Sequence, residues 1–120
     1  MSAAGPLSGV RIIDVTTVFM GPFATQMLGD LGADVIKVEA PGGDSTRRIG
    51  PCGEQLMGPL YLGLNRNKRS IVLDLKQAEG REALLELVKD ADVLTYNVRP
   101  AAMQRLGLGW DWFGPRKPGL

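Results

Sequence analysis

The sequence has 120 residues, 14 Lys and Arg against 13 Asp and Glu, a net charge of +1 and 44% apolar residues, which suits one domain with a real core and leaves no room for a second sizeable one. The near-neutral balance argues against a general nucleic-acid or membrane-surface binder. The absence of His removes imidazole chemistry and the commonest metal ligand, and a lone Cys52 rules out an internal disulfide framework and fits a reducing compartment.

No apolar run reaches the roughly 18–20 residues of a membrane span, and Met1 to Leu7 lacks the basic-then-apolar order of a secretory signal. A cytoplasmic chain of mixed α/β class is expected. The first apolar block, Val10 to Val15, is short, β-branched and bounded by turn residues, and predicts a buried strand. After a loop over Thr16 to Met20, Gly21-Pro22 open a helix, with Gly21 free to take an unusual dihedral and Pro22 at the first helical position. Phe23, Met27, Leu28 and Leu31 form its apolar stripe, and Gly32 fits the left-handed residue that closes it. Val35 to Glu39 is the second strand, completing a βαβ unit with Asp34 capping or turning just before it.

Ala40 to Gly63 is rich in Gly and Pro and reads as a long functional or disordered loop with one helical turn. A basic turn at Asn65 to Arg69 leads into a third strand, Ser70 to Leu75. Glu79 to Asp90, with Leu84, Leu87 and Val88 at helical spacing, is a second helix, and Asp92 to Tyr96 is a fourth strand. A short helix over Pro100 to Leu106 follows, and the segment after Gly107 dissolves into Gly and Pro.

In an open parallel sheet ligands sit outside the carboxyl ends of the strands. Four segments meet that condition: Thr16 to Pro22, Glu39 to Arg48, Leu75-Lys76, and Asn97 to Arg105. The Gly21-Pro22 pair either turns the chain into its helix or opens an anion site there; the residues alone leave both open. Glu39 could hold a ribose, but Thr16 to Gly21 contains no G-x-G-x-x-G, and no Walker pattern exists, so a dinucleotide site is disfavoured. Arg47, Arg48, Arg66, Lys68, Arg69, Lys76, Arg99 and Arg105 gather near strand ends and together suggest a phosphorylated ligand. Cys52 has no basic neighbour closer than Arg48 and reads as structural or incidental. Asp14, Asp34, Asp44 and Asp74 form no recognisable catalytic or metal spacing, so no nucleophile and no metal site is identified.

Five blocks in order carry a resemblance. They are Pro6 to Asp14, Gly21 to Ala24 with Leu28 to Glu39, Pro41 to Arg47, Asn65 to Lys76, and Ala91 to Leu94 with Asn97 to Pro100 and Arg105 to Gly109. Over residues 6–110 the chain resembles the start of the class III CoA-transferases, a family that includes formyl-CoA transferase, carnitine–CoA transferase-like proteins and α-methylacyl-CoA racemase. The resemblance implies an α/β fold, a Rossmann-like parallel sheet with flanking helices, present only as the N-terminal portion of a CoA-binding large domain (1–110). It also implies a 111–120 Gly/Pro-rich tail outside the family pattern, where a further helix and strand would be expected. Coenzyme A or acyl-CoA is then a substrate rather than a resident cofactor. The partners implied are acyl-CoA, a carboxylate and, in full-length relatives, an interlocked second copy.

By the same resemblance, Val18, Phe19 and Met20 lie near the thioester end, and Leu73, Leu75 and Lys76 line the adenosine. Asn97, Val98, Ala102, Arg105 and Leu106 grip the nucleotide and pantetheine. Ala40 stands where many relatives carry a basic residue, and Val98 where they carry an aromatic, so one phosphate contact and some packing are expected to be missing. The family's aspartate nucleophile, and the His–Asp pair of its racemase branch, lie beyond Leu120. The implied reaction is transfer of coenzyme A between an acyl-CoA and a carboxylate, with this chain inactive alone. The alternatives are the racemase branch, a non-catalytic CoA or nucleotide cradle, or a truncated remnant that associates through uncovered apolar surface.

Overall fold

The computed structural model describes residues 4–51 and 55–120, so Cys52 lies outside the described residues. Four strands, β1 (Arg11–Asp14), β2 (Asp34–Glu39), β3 (Lys68–Val72) and β4 (Val93–Thr95), form one parallel sheet in the order β3-β2-β1-β4. Among the described residues five helices flank it: α1 (Met20–Asp30), α2 (Pro59–Leu64), α3 (Ala78–Lys89), α4 (Pro100–Arg105) and α5 (Trp110–Arg116). No helix among the described residues is long and apolar enough to cross a membrane. The long loop after β2 carries a 3-10 turn at Ser45–Arg48 before α2.

Alternation along the strands divides the core between two faces. Ile13, Val15, Ile36 and Val38 pack with Leu84 and Val88 of α3, Met103 of α4, Leu108 between α4 and α5, and Phe113 of α5. Ile12 and Val35 point the other way, to Leu28 of α1 and to Leu7, Val10 and Ala33. On that second face, the alternate positions nearer the strand ends are charged: Asp14, Lys37 and Glu39, all buried. Gly32 ends α1 at φ +103, its amide bonding Gly29 O while Ala33 N bonds Leu28 O, a Schellman closure.

Four expectations need correction. The apolar stripe of α1 faces outward: Phe23, Met27 and Leu31 are 41%, 48% and 46% exposed, and the buried face is Pro22, Thr25, Gln26 and Gly29. The charged end of the sheet explains this, because Thr25 Oγ1 donates to Asp14 Oδ2 at 2.6 Å and Gln26 Oε1 accepts from the Arg66 amide at 3.1 Å. The third strand starts two residues early, since Lys68 and Arg69 are strand residues that pair with Asp14 and Asp34 instead of forming a turn. Asp34 is itself the first residue of β2 and bridges Arg11 at 2.8 Å and Arg69 at 2.7 Å. The segment after Gly107 is no irregular tail: it folds as α5, and Phe113 is 2% exposed in the core.

Candidate functional site

Strand order reverses between β1 and β4, because the chain winds from β1 through β2 to β3 and then crosses back to the other side of β1. Such a reversal splays the following loops apart and opens a crevice outside the carboxyl ends. Here the two loops are clipped together. The Thr17 amide donates to Asn97 Oδ1 at 3.0 Å, and Asn97 Nδ2 donates to Thr17 O at 2.8 Å. Val18, at φ +74, turns the chain sharply, and Val18, Phe19 and Met20 project into solvent beside the clip. Gly21 follows not for an unusual dihedral but for room: a Cβ there would lie 2.5 Å from Thr16 Cβ.

Beneath this rim lies a buried polar frame. Asp14 accepts from Thr16 N and Oγ1 at 2.9 and 2.5 Å and from Lys68 Nζ at 3.0 Å. Lys37 Nζ reaches Asp44 Oδ2 at 3.0 Å and Thr16 O at 3.0 Å, with neither charged side chain more than 1% exposed. Asp44 Oδ1 accepts from Thr46 N and Oγ1 at 3.0 and 2.8 Å. Glu39 takes both arms of Arg47, at 2.8 and 2.7 Å, together with the Asp44 amide and the Ser70 hydroxyl, and Arg47 stacks 3.8 Å over the Tyr61 ring. Among the described residues no buried side-chain nitrogen or oxygen lacks a partner.

The frame sets its own protonation. Burial alone would raise the Glu39 carboxyl, but hydrogen bonds from Arg47, Ser70 and the Asp44 amide hold it down at about 2. Asp44 is likewise lowered against its burial, by the Thr46 amide and the Lys37 ammonium. Burial lowers Lys68, with Asp14 opposing, and burial followed by the Glu39 charge raises Tyr61.

A cleft of about 210 Å³ opens between the loops after β1 and β2, lined by Thr17, Val18, Lys37, Ala40, Gly43 and Ser45 among others. A larger hollow of about 760 Å³ lies at the opposite, amino ends, where Arg11 and Arg69 are both paired with Asp34. The carboxyl-end cleft is the smaller of the two, but it lies where open parallel sheets bind their ligands.

The expected ligand residues fall into two groups. Val18, Phe19, Met20, Asn97 and Val98 border the β1–β4 crevice, with Ala102, Arg105 and Leu106 on α4 and at its end. Leu73, Leu75 and Lys76 follow β3 at the far edge of the sheet. Leu73, Leu75, Val98 and Leu106 all flank the apolar cluster shared by the sheet, α3 and α4, whereas Lys76 and Arg105 are exposed.

The basic set is not one patch. Arg47 is committed to Glu39, Arg66 to Asp30, Lys68 to Asp14 and Arg69 to Asp34, and Arg48 donates to Gly42 O. Glu39, fully engaged by this chain, is not free for a ribose. Sequence reasoning did not single out Lys37 and weighed Asp44 only as one of four carboxylates without catalytic or metal spacing. The readable signal was a lysine and a glutamate inside a strand that is otherwise Val and Ile.

Comparison with known proteins decides the family. The model of CoA-transferase family III matches residues 7–120. The chain belongs to CoA-transferase family III. It is 50% identical over 119 residues to an acyl-CoA transferase of Fusarium pseudograminearum, covering 92% of this chain and 26% of that protein. It is 46% identical over 112 residues to the succinyl-CoA:glutarate CoA-transferase of Homo sapiens, covering 92% and 26%. Among solved structures, a CAIB/BAIF family protein from Brucella suis superposes with a TM-score of 0.89 at 38% identity, covering 97% of this chain and 32% of that one. The chain thus spans about a quarter of the length of these curated family III relatives.

Proposed function

We propose that this chain is the CoA-thioester-binding part of an acyl-CoA:carboxylate CoA-transferase, and that it is inactive by itself. The observation that carries the proposal is the Thr17–Asn97 clip at the point of strand reversal, which sets two exposed loop segments side by side at the crevice where nucleotide-type ligands bind such sheets. Family membership supports the ligand class, and the relatives' names pair a CoA thioester with a carboxylate acceptor. Val18, Phe19 and Met20 would meet the thioester end. Leu73, Leu75 and Lys76 would meet the adenosine, and Asn97, Val98, Ala102, Arg105 and Leu106 the pantetheine and phosphates.

The exposed guanidinium of Arg105 and ammonium of Lys76 supply charge for phosphate, and the half-buried Leu73, Leu75, Val98 and Leu106 supply an apolar wall. A carboxylate nucleophile from the remainder of the enzyme would attack the thioester carbonyl, forming an acyl–enzyme anhydride and expelling the CoA thiolate. The thiolate would attack the enzyme's own carbonyl, giving an enzyme–CoA thioester and releasing the donor carboxylate. The acceptor carboxylate would then repeat the two steps in reverse to leave as the new acyl-CoA. None of the residues brought together here offers such a nucleophile facing the crevice: Asp14, Glu39 and Asp44 are buried and fully bonded. A cytoplasmic location and a homodimer, in which a second copy covers the outward apolar face of α1, complete the reading.

The test is titration of the 120-residue chain with coenzyme A, followed by unfolding temperature and calorimetry. Ligand that binds only the folded state raises the transition as its concentration rises. Arg105→Glu and Lys76→Glu, both on exposed positions, are expected to weaken binding about tenfold each, roughly 1.4 kcal/mol. No shift at millimolar coenzyme A overturns the proposal.

A further inference from the structure

The backbone from Thr16 to Val18 is gripped by side chains from three other places in the fold. Lys37 Nζ, from the middle of β2, donates to Thr16 O at 3.0 Å. Asn97, after β4, takes both the amide and the carbonyl of Thr17. Asp44, after β2, accepts from the Val18 amide at 3.3 Å. Lys37 and Asp44 are also bonded to each other at 3.0 Å, and Asp44 is anchored from behind by Thr46. What these tethers hold is Val18 at φ +74, a left-handed conformation that β-branched residues avoid.

A buried Lys–Asp pair does little for stability, since well-packed apolar residues of similar volume hold a strand as well or better. Apolar residues could not, however, bond the Thr16 carbonyl and the Val18 amide. Strained backbone persists only where its surroundings over-determine it, and it gathers at functional sites. We propose that Lys37 and Asp44 are positioning residues: a buried ion pair that clamps the loop after β1 in its strained form, so that Val18, Phe19 and Met20 are presented to ligand at the β1–β4 crevice. For its ligand this rests on the coenzyme A reading above. Its chemistry is separate, because neither side chain is exposed enough to touch a ligand.

The strain supplies the test. Glycine adopts positive φ without steric cost, so Val18→Gly should make the clamp unnecessary. Asp44→Asn places a donor against the Val18 amide and the Lys37 ammonium. Because one broken partner can prevent folding, Lys37→Met with Asp44→Asn is made in parallel, removing both charges as a unit. In the 120-residue chain, either change is expected to lower coenzyme A affinity about tenfold or more. Exchange of the Val18 amide, followed by NMR, should accelerate at least tenfold by the same scale while the Ile13 amide keeps its protection. Val18→Gly removes a side chain of the proposed ligand surface as well as the strain, so the clamp changes are read against Val18→Gly alone. In that background they should cost little further affinity, a sparing that a general loss of stability would not permit. The proposal is overturned if Val18 exchange is unchanged in the clamp variants, or if the clamp changes weaken binding as much in the Val18→Gly background as in the wild-type chain. If the wild-type chain binds no coenzyme A, the functional reading fails instead, and the exchange measurement alone judges the clamp.

Discussion

Asn97 holds the backbone of Thr17 by both ends of its carboxamide, at 3.0 and 2.8 Å, across the gap where the sheet changes winding direction. The side chain mimics the peptide group of a neighbouring strand and extends the β1–β4 ladder past Thr95, the last strand residue. Asn97→Ala removes two bonds worth about 1 kcal/mol each at most, since the site is open to water. We expect a loss of about 1–2 kcal/mol in urea denaturation. Asn97→Asp should cost at least as much, because a carboxylate oxygen would then face the Thr17 carbonyl. A midpoint unchanged in both variants would show the clip to be idle.

Glu39 makes acid sensitivity specific. Its folded carboxyl titrates at about 2 against an ordinary 4.5, so the folded state binds its proton more weakly than the unfolded chain. The stabilisation is complete above about pH 4.5 and is lost as pH falls from there towards 2. Asp44, also lowered, acts in the same direction. Glu39→Gln should lower stability at pH 7 by about 3–5 kcal/mol, since Arg47 would keep only a neutral partner. It should also flatten the fall between pH 4.5 and 2. An unchanged acid slope in the variant would place the sensitivity elsewhere.

The α1 helix supports a counter-intuitive comparison. Phe23 looks like a core residue by spacing yet lies on the outer face, whereas Thr25 is buried with its hydroxyl on Asp14. Thr25→Val should cost about 1.5–3 kcal/mol, because it takes a hydrogen bond from a buried carboxylate. Phe23→Ser should stay within about 0.5 kcal/mol, while reducing concentration-dependent association in size-exclusion chromatography. A loss of about 3–5 kcal/mol for Phe23→Ser would instead mark a core phenylalanine.

That comparison shows where sequence was a sufficient guide. The strands at Ile12-Ile13 and Val35-Ile36, the crossover and the Gly32 stop follow from local rules, because β-branched runs and a left-handed glycine are decided by neighbours in sequence. The family was legible too, since its motifs lie in contiguous blocks. The outward stripe of α1, the early start of β3 and the commitment of Arg47, Arg66 and Arg69 were not. Each is settled by a partner 8 to 36 residues away: Glu39 for Arg47, Asp30 for Arg66, Asp34 for Arg69. The site frame was hidden for the same reason. Lys37 and Asp44 are unremarkable singly and become a unit only when the loop after β2 folds back over the strand end.

The last helix offers the plainest check on how far the core extends. Gly109, Gly114, Pro115, Pro118 and Gly119 argue locally against any element, yet α5 forms because Phe113 has an apolar cluster to fill. Pro115 is tolerated near the end of so short a helix, and the Trp112 ring meets Phe113 edge-on at 4.9 Å. Trp110, by contrast, is 63% exposed. Phe113→Ala should therefore cost about 3–5 kcal/mol, while Trp110→Ala stays within about 0.5 kcal/mol, although the indole is the larger side chain. Urea denaturation of both variants separates the outcomes. Equal effects, or a larger one for Trp110, would mean that α5 rests on the surface and that the core closes without it.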